Sequence, residues 1–424
     1  MPHRRLLAPV AALALLLLSA PGARAAVGTV PCSPAGFLCD AVGVPLDRGG
    51  AVPGQVRLSV LRRPAAATPT SEAVVALAGG PGQAATPFAA SFAESLAPFL
   101  AGRDLLVFDQ RGTGSSDPLS CPGFGAGGPT LTGQVRACAL ALGGASEAYR
   151  TVDSADDLEA LRVAGGYERL VIYGVSYGTK VALTYAGRHP SRVASLILDS
   201  VVPADGPDAW NRPSFTALGR VLRELCAGRA CRFATRDVRR DLRRLTGRLA
   251  RRPLTGTITA PAGGRLGVEL TDTGLWQVLL AGDLNPALRA ELPGAVSAAL
   301  RGDRTPILRL RARSRGLTGT AQSAAPNASL FTVTRCSETL FPWSAAAGAS
   351  ARLIQARAAV RALPARDFAP FSADVALRAS VATLCSAWPA AARSPQAGPP
   401  PAVPTLVLAG AADLRTPLEQ ARSV

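Results

Sequence analysis

The chain has few of the side chains that carry protons or bind metals. It includes two histidines, His3 and His189, one methionine, and one lysine, Lys180. No C-x-x-C pair occurs, so the sequence lacks the ligand spacing of a zinc site, and no metal or cofactor is expected. Aromatic residues make up only 5 %. None of them interleaves with arginines in the densest basic patch, Arg236 to Arg252, so a surface for stacking nucleic-acid bases is not expected. Beyond Ala25 no apolar run is long enough to cross a bilayer, so no stable membrane insertion is expected.

The charge that is present has one sign. The net charge is +17, nearly all from arginine, and the arginines are scattered rather than striped. Arginine- and alanine-rich usage of a high-GC genome accounts for this better than a nucleic-acid partner does. The segment from Met1 to Ala25 reads as a signal peptide: basic His3-Arg4-Arg5, apolar Leu6 to Leu18, and an A-x-A site at Ala23-Arg24-Ala25. Cleavage near Ala25 and secretion are therefore expected. Eight cysteines in an exported chain imply four disulfides. Spacing does not fix their connectivity. The pairings that need least rearrangement are Cys32 with Cys39, Cys121 with Cys138, Cys226 with Cys231, and Cys336 with Cys385.

Along the chain, Gln55 to Leu61 alternates with period two, as a half-buried antiparallel strand does. Ala73–Leu77, Leu105–Phe108 and Leu170–Tyr173 are apolar runs of the kind buried on both faces of a parallel sheet, and Val193–Val201 reads as another strand. Helical patterns at Asp153–Val163 and Lys180–Arg188 alternate with them, predicting an α/β, doubly wound, mostly parallel sheet. Residues 203–389 are arginine-rich and largely helical and contain no buried-strand run; they are read as a cap with a connecting segment. Residues 390–404 form a Pro/Ala-rich linker, and Thr405–Leu408 resumes the sheet. The core thus comprises 26–202 and 405–424.

The chemistry centres on Gly174-Val-Ser-Tyr-Gly178, which follows a strand and opens a helix. This is the nucleophile-elbow context of a G-x-S-x-G motif and marks Ser176 as a nucleophile. Its two glycines leave room for a serine held at a strained turn, and the following helix aims its N-terminal N–H groups at a developing oxyanion. Tyr177, the residue after the nucleophile, should supply one oxyanion donor. Gly80, in the glycine turn after the first buried strand, should supply the other, since Pro81 has no N–H. Asp413 follows a buried strand, where the acid of a catalytic triad belongs; a helix N-cap or turn role is its structural alternative. Asp109 to Ser116 reads as a bracing turn, with Arg111 in a buried ion pair.

Four motifs occur in order: Ala78-Gly-Gly-Pro-Gly82, Asp109-Gln-Arg-Gly-Thr-Gly-Ser-Ser116, Gly174-Val-Ser-Tyr-Gly-Thr179 and Gly410-Ala-Ala-Asp-Leu-Arg-Thr-Pro417. Together they resemble the secreted tripeptidyl and prolyl aminopeptidases of actinomycetes, α/β-hydrolases of the proline iminopeptidase superfamily. Cys226–Cys231, Cys336-Ser-Glu338 and Cys385-Ser-Ala-Trp-Pro389 look like that group's cap and post-cap segments. The resemblance implies release of tripeptides or N-terminal residues from peptides with a free N-terminus, through an acyl-enzyme on Ser176. Ala78 departs from the family, which has histidine there. An aminopeptidase also needs a carboxylate for the substrate ammonium. Glu338 is the first choice; Asp205, Asp208 and Asp283 are the others.

The triad histidine is missing. His3 lies in the signal peptide, and His189 precedes the acid and sits at the far end of the helix after Ser176. The resemblance puts the base some tens of residues beyond the acid. A final strand and a histidine loop are therefore expected past Val424, from a fragmentary or frameshifted reading frame rather than an evolved pseudoenzyme. The 424-residue form is expected to be impaired. A secreted esterase or lipase-like hydrolase using the same serine, and a non-catalytic binding protein on this scaffold, are the competing functions.

Overall fold

The computed structural model describes residues 27–124, 131–260, 263–316, 326–389 and 398–424. The expected signal peptide, residues 317–325 of a cap loop and residues 390–397 of the linker lie outside the described residues.

The core is an eight-stranded sheet. Its strands are β1 (Val30–Cys32), β2 (Phe37–Pro45), β3 (Gln55–Arg63), β4 (Glu72–Leu77), β5 (Asp104–Phe108), β6 (Arg169–Val175), β7 (Val193–Asp199) and, far along the chain, β10 (Thr405–Leu408). The order is β1-β2-β3-β5-β4-β6-β7-β10. β3 runs antiparallel to both β2 and β5, while β5, β4, β6, β7 and β10 are parallel. The sequence reason is in β4, where every residue from Ala73 to Leu77 is fully buried. A strand can be apolar on both faces only where elements cover both. Helices α1 (Ala89–Ser95), α2 (Leu131–Leu142), α3 (Thr151–Ala164) and α4 (Tyr177–Arg188) belong to this part of the chain, and α4 packs on β4, β6 and β7.

Between β7 and β10 the chain forms α5 (Arg212–Leu225), α6 (Val238–Leu249), strands β8 (Leu254–Thr259) and β9 (Arg265–Leu270), α7 (Asp272–Ala281), α8 (Pro286–Arg301) and α9 (Thr305–Ser314). It continues through α10 (Ala328–Glu338), α11 (Ala349–Arg361), α12 (Ala373–Ala379) and α13 (Ala382–Cys385). Most of these helices share one apolar cluster, centred on a Phe215–Trp276 stack with ring centroids 3.9 Å apart. The chain between β7 and β10 is largely helical, and it also holds an antiparallel hairpin, β8–β9, with Gly263 and Gly264 in its connection. The strand signal is faint in the sequence because threonine and glycine fill alternate positions of Leu254–Thr259, leaving one buried side chain, Ile258. In α6, within the arginine-dense patch, Val238, Leu242, Leu245 and Leu249 are buried and the arginines face outward, as an amphipathic helix requires.

The four disulfides are Cys32–Cys39, Cys121–Cys138, Cys226–Cys231 and Cys336–Cys385. Two of them meet in one apolar cluster with Leu330, Val333 and Trp388, which fastens α2, α10 and α13 together. No helix among the described residues is long and apolar enough to cross a membrane.

Arg111 is the expected buried ion pair. Its Nε and Nη2 donate to both Asp157 carboxylate oxygens at 2.6 Å, and Nη1 donates to the Leu46 and Ala148 carbonyls. Burial pushes the guanidinium's pKa down, but the Asp157 hydrogen bonds and charge offset this and hold it above its ordinary value. Arg48 reaches the same carboxylate from the surface. Removing one partner of a buried pair leaves the other charge stranded. Asp157→Ala should therefore lower unfolding free energy by about 3–5 kcal/mol, read from urea midpoints. Arg48→Ala, which removes the partly exposed partner, should cost about 1 kcal/mol or less.

Candidate active site

The elbow is built by β6 running directly into α4. Ser176 sits between them at φ 53° and ψ −119°. That conformation lies outside the regions that L-residues favour. It costs about 1–3 kcal/mol and persists only where neighbours impose it. Here the Ser176 N–H donates to the Asp199 carbonyl at 2.9 Å, and its carbonyl accepts from the N–H (2.9 Å) and Oγ1 (2.6 Å) of Thr179. The flanking glycines are sterically required. A Cβ at Gly174 would lie 2.6 Å from the Gly178 carbonyl oxygen, and one at Gly178 would lie 2.5 Å from that of Leu77.

The glycine turn after β4 lies against Ser176: a Cβ at Gly79 would be 3.0 Å from Ser176 Cβ. Gly80 follows at φ +107°, where a Cβ would meet the Gly82 nitrogen at 2.7 Å. Ala78 is buried, and its carbonyl accepts from Gln110 Nε2 at 3.2 Å. The bracing turn is formed by Asp109, a fully buried carboxylate that accepts from the N–H groups of Ala85, Thr86 and Ser115 and from Thr86 Oγ1. One side chain therefore ties the segment after the glycine turn to the turn after β5.

Beside Tyr177 lies a buried polar cluster. The Tyr177 hydroxyl is 2.9 Å from Thr151 Oγ1, at the start of α3, and burial pushes its pKa well up, with the nearby Glu338 charge adding to the shift. Glu338 Oε2 accepts from Thr151 Oγ1 and from Lys180 Nζ, each at 2.8 Å, and Oε1 accepts from the Thr151 N–H. Lys180 also donates to the Gly206 carbonyl at 2.8 Å. Glu338, named as the ammonium anchor, is thus already charge-matched inside the protein, and a substrate amine would have to displace Lys180. One turn earlier on α10, burial pushes Arg335 down to about 10, although Glu338 pulls the other way.

Asp413 lies five residues beyond the end of β10, whose last residue, Leu408, pairs with Asp199. Its Oδ1 accepts from the N–H groups of Arg415 and Thr416, and its Oδ2 from Thr416 Oγ1. All three bonds stay within its own turn. The cap grips this loop. Arg220 donates to the Ala411 carbonyl, Arg289 to that of Ala412, and Asp283 accepts from the Leu414 N–H. Leu414 itself is 1 % exposed within the cap's apolar cluster. Asp283 is therefore a brace for the Asp413 loop, and its charge faces Arg289. His189 caps the far end of α4, three helical turns from Ser176 at the other end. There it packs on Tyr185 and faces Asp156.

A family model described as the alpha/beta hydrolase fold matches residues 72–260, from β4 through the elbow into the cap. A serine protease, Hip1, of Mycobacterium tuberculosis is 30 % identical over 191 residues, which is 40 % of this chain and 36 % of that protein. A tripeptidyl aminopeptidase of Streptomyces lividans is 28 % identical over 223 residues, 46 % of this chain and 42 % of that one. The chain has the α/β-hydrolase fold, and proteins named as peptidases are among its relatives. A proline iminopeptidase of Neisseria gonorrhoeae is also similar, 29 % identical over 133 residues, covering 31 % of this chain and 34 % of that one. The matched stretch spans under half the length of each of these relatives.

Several residues around this hydrolase site carry no clear mark in the sequence: Gln110 under Ala78, Thr151 beside Tyr177, and the Lys180–Glu338 pair. Lys180 has one signal, being the only lysine of an arginine-rich chain and lying four residues after Ser176. Replacing it strands a buried carboxylate. Lys180→Met should cost about 3–5 kcal/mol, and Lys180→Met with Glu338→Gln should recover most of that loss, as read by chemical denaturation of the two variants.

Proposed function

We propose that this protein is a secreted serine aminopeptidase that releases tripeptides or N-terminal residues through an acyl-enzyme on Ser176. The strained serine at the strand–helix elbow carries this reading, because no structural need explains holding a serine at positive φ against a glycine turn. The peptidase names of the relatives support peptide substrates. Four disulfides and the basic–apolar–A-x-A pattern from Met1 to Ala25 support export.

In the proposed reaction Ser176 Oγ attacks the scissile carbonyl carbon, and the carbonyl oxygen becomes an oxyanion. The N–H groups of Tyr177 and Gly80 stabilise it, aided by the N-terminal end of α4. Collapse of the tetrahedral intermediate expels the leaving amine, and water then hydrolyses the ester on Ser176. Asp413 is proposed as the carboxylate that orients an imidazole base. That base is the weak step. His189 is at the far end of α4 from Ser176 and His3 falls in the proposed leader, so neither histidine of the 424-residue form is proposed to take the Ser176 proton. The 424-residue form should therefore react slowly. An esterase using the same serine is the second reading, favoured by the fact that Glu338 is already paired with Lys180.

Chromogenic tripeptidyl and aminoacyl amides test this. Turnover by the 424-residue form should fall roughly 10⁴-fold or more below that expected of a complete triad. Ser176→Ala should abolish what remains. Acylating the substrate amine should remove activity; equal rates on free and blocked amines, or faster cleavage of simple esters, would favour the esterase.

A further inference from the structure

The cap carries a cleft of about 430 Å³ where the first turns of α6, and the turn before it, meet the end of α8. Five guanidinium groups line it, those of Arg232, Arg236, Arg240, Arg244 and Arg301, against the carboxylates of Asp237 and Asp241. A spacing of four residues puts Arg236, Arg240 and Arg244 along one side of α6. Both carboxylates already hold the local backbone and turn. Asp237 caps α6 by accepting from the Arg240 N–H, and Asp241 accepts from Thr235 Oγ1 at 2.6 Å. Arg301 donates to Ser297 Oγ at 2.6 Å. Arg232, Arg236, Arg240 and Arg244 make no ion pair and no side-chain hydrogen bond among the described residues. Elsewhere Arg111, Arg162 and Arg220 each pair with a carboxylate. The cleft thus holds more positive charge than its own carboxylates neutralise.

An apolar ring stands in the same lining. Phe233 is 89 % exposed, more than any other large apolar side chain among the described residues. It is not a loose end. Cys231, two residues earlier, is tied to Cys226 by a disulfide, and its carbonyl accepts from the N–H groups of Ala234 and Thr235, each at 2.9 Å. The Arg232 guanidinium lies 4.4 Å from the ring centroid. A ring presented on such a closed turn loses little freedom when a partner covers it.

The two features together select the partner. A free phosphate ion would satisfy the guanidinium groups and leave Phe233 in water. A nucleic-acid strand is held by stacking successive bases on aromatic platforms, and the cleft offers one ring. A bilayer surface uses both parts: lipid phosphates accept from the arginines, and the ring enters the boundary between headgroups and acyl chains. We propose that this face of the cap docks on a membrane surface rich in anionic phospholipid, with Phe233 as the residue that inserts. The contact is peripheral and is independent of acyl transfer at Ser176.

Co-sedimentation of the full chain with vesicles of phosphatidylcholine, alone or mixed with phosphatidylglycerol, tests the proposal. Binding to the mixed vesicles should be tighter by about tenfold or more, and the difference should vanish at about 1 M salt. Arg240→Gln with Arg244→Gln should weaken binding to mixed vesicles about tenfold or more. Arg57→Gln with Arg63→Gln removes the same charge from exposed positions on β3 and should weaken it less than about threefold. Phe233→Ser should weaken binding about threefold or more, while Phe233→Trp should keep the parent's affinity. Residues 1–25 are common to every variant, so ratios between variants read the cleft. The substituted side chains are all exposed, and the variants' melting temperatures should match the parent's. Equal binding to neutral and mixed vesicles, an equal loss from both arginine pairs, or no effect of Phe233→Ser would each overturn the proposal. Phe233-dependent binding of a poly-dT oligonucleotide without vesicle binding would also overturn it, assigning the face to nucleic acid.

Discussion

The whole site depends on one close approach, that of the α4 backbone at Gly178 to the carbonyl oxygen of Leu77 at the end of β4. A side chain at position 178 would push α4 away from the sheet, and Ser176 could no longer be held at its positive-φ turn. The approach places three strand ends around the serine: β4 leading into the glycine turn, β6 carrying Ser176, and β7, whose Asp199 carbonyl takes the Ser176 N–H. Tight strand packing is possible there because Ala73–Leu77 and Leu105–Phe108 are fully buried and carry no polar side chain. The hydrophobic sheet thus supplies the force, and the glycines the clearance, for one strained residue.

Around this point the charges are arranged for rigidity. Lys180 and Glu338 bind α4 to α10, Asp157 and Arg111 bind α3 to the turn after β5, and Asp109 fixes the segment after the glycine turn. The cap is also coupled to the proposed acid. Its residues Arg220, Asp283 and Arg289 hold the backbone on either side of Asp413, and Leu414 is a member of the cap's core. A displacement of α5, α7 or α8 would therefore move the Asp413 loop.

Much of this was legible in the sequence because it rests on local rules. Strand–turn–helix order and glycine spacing located Ser176, apolar runs located β4, β5 and β6, and proximity along the chain matched all four disulfides. What was not legible depends on contacts across the chain. Glu338 read as a free carboxylate in sequence, yet it lies against Lys180, 158 residues away. Gln110 looked like part of a turn, while its amide supports Ala78 from 32 residues away. The β8–β9 hairpin escaped because its alternation is carried by small and polar residues whose partners lie across the turn.

The central proposal is that Ser176 is the nucleophile and that neither His3 nor His189 serves as its base. Fluorophosphonate labelling of that protein, mapped by mass spectrometry with and without about 0.1 M imidazole as an external base, tests it most directly. Labelling should fall on Ser176, be slow alone, and accelerate with imidazole. Modification of another residue, or no labelling of Ser176 even with imidazole, would contradict it.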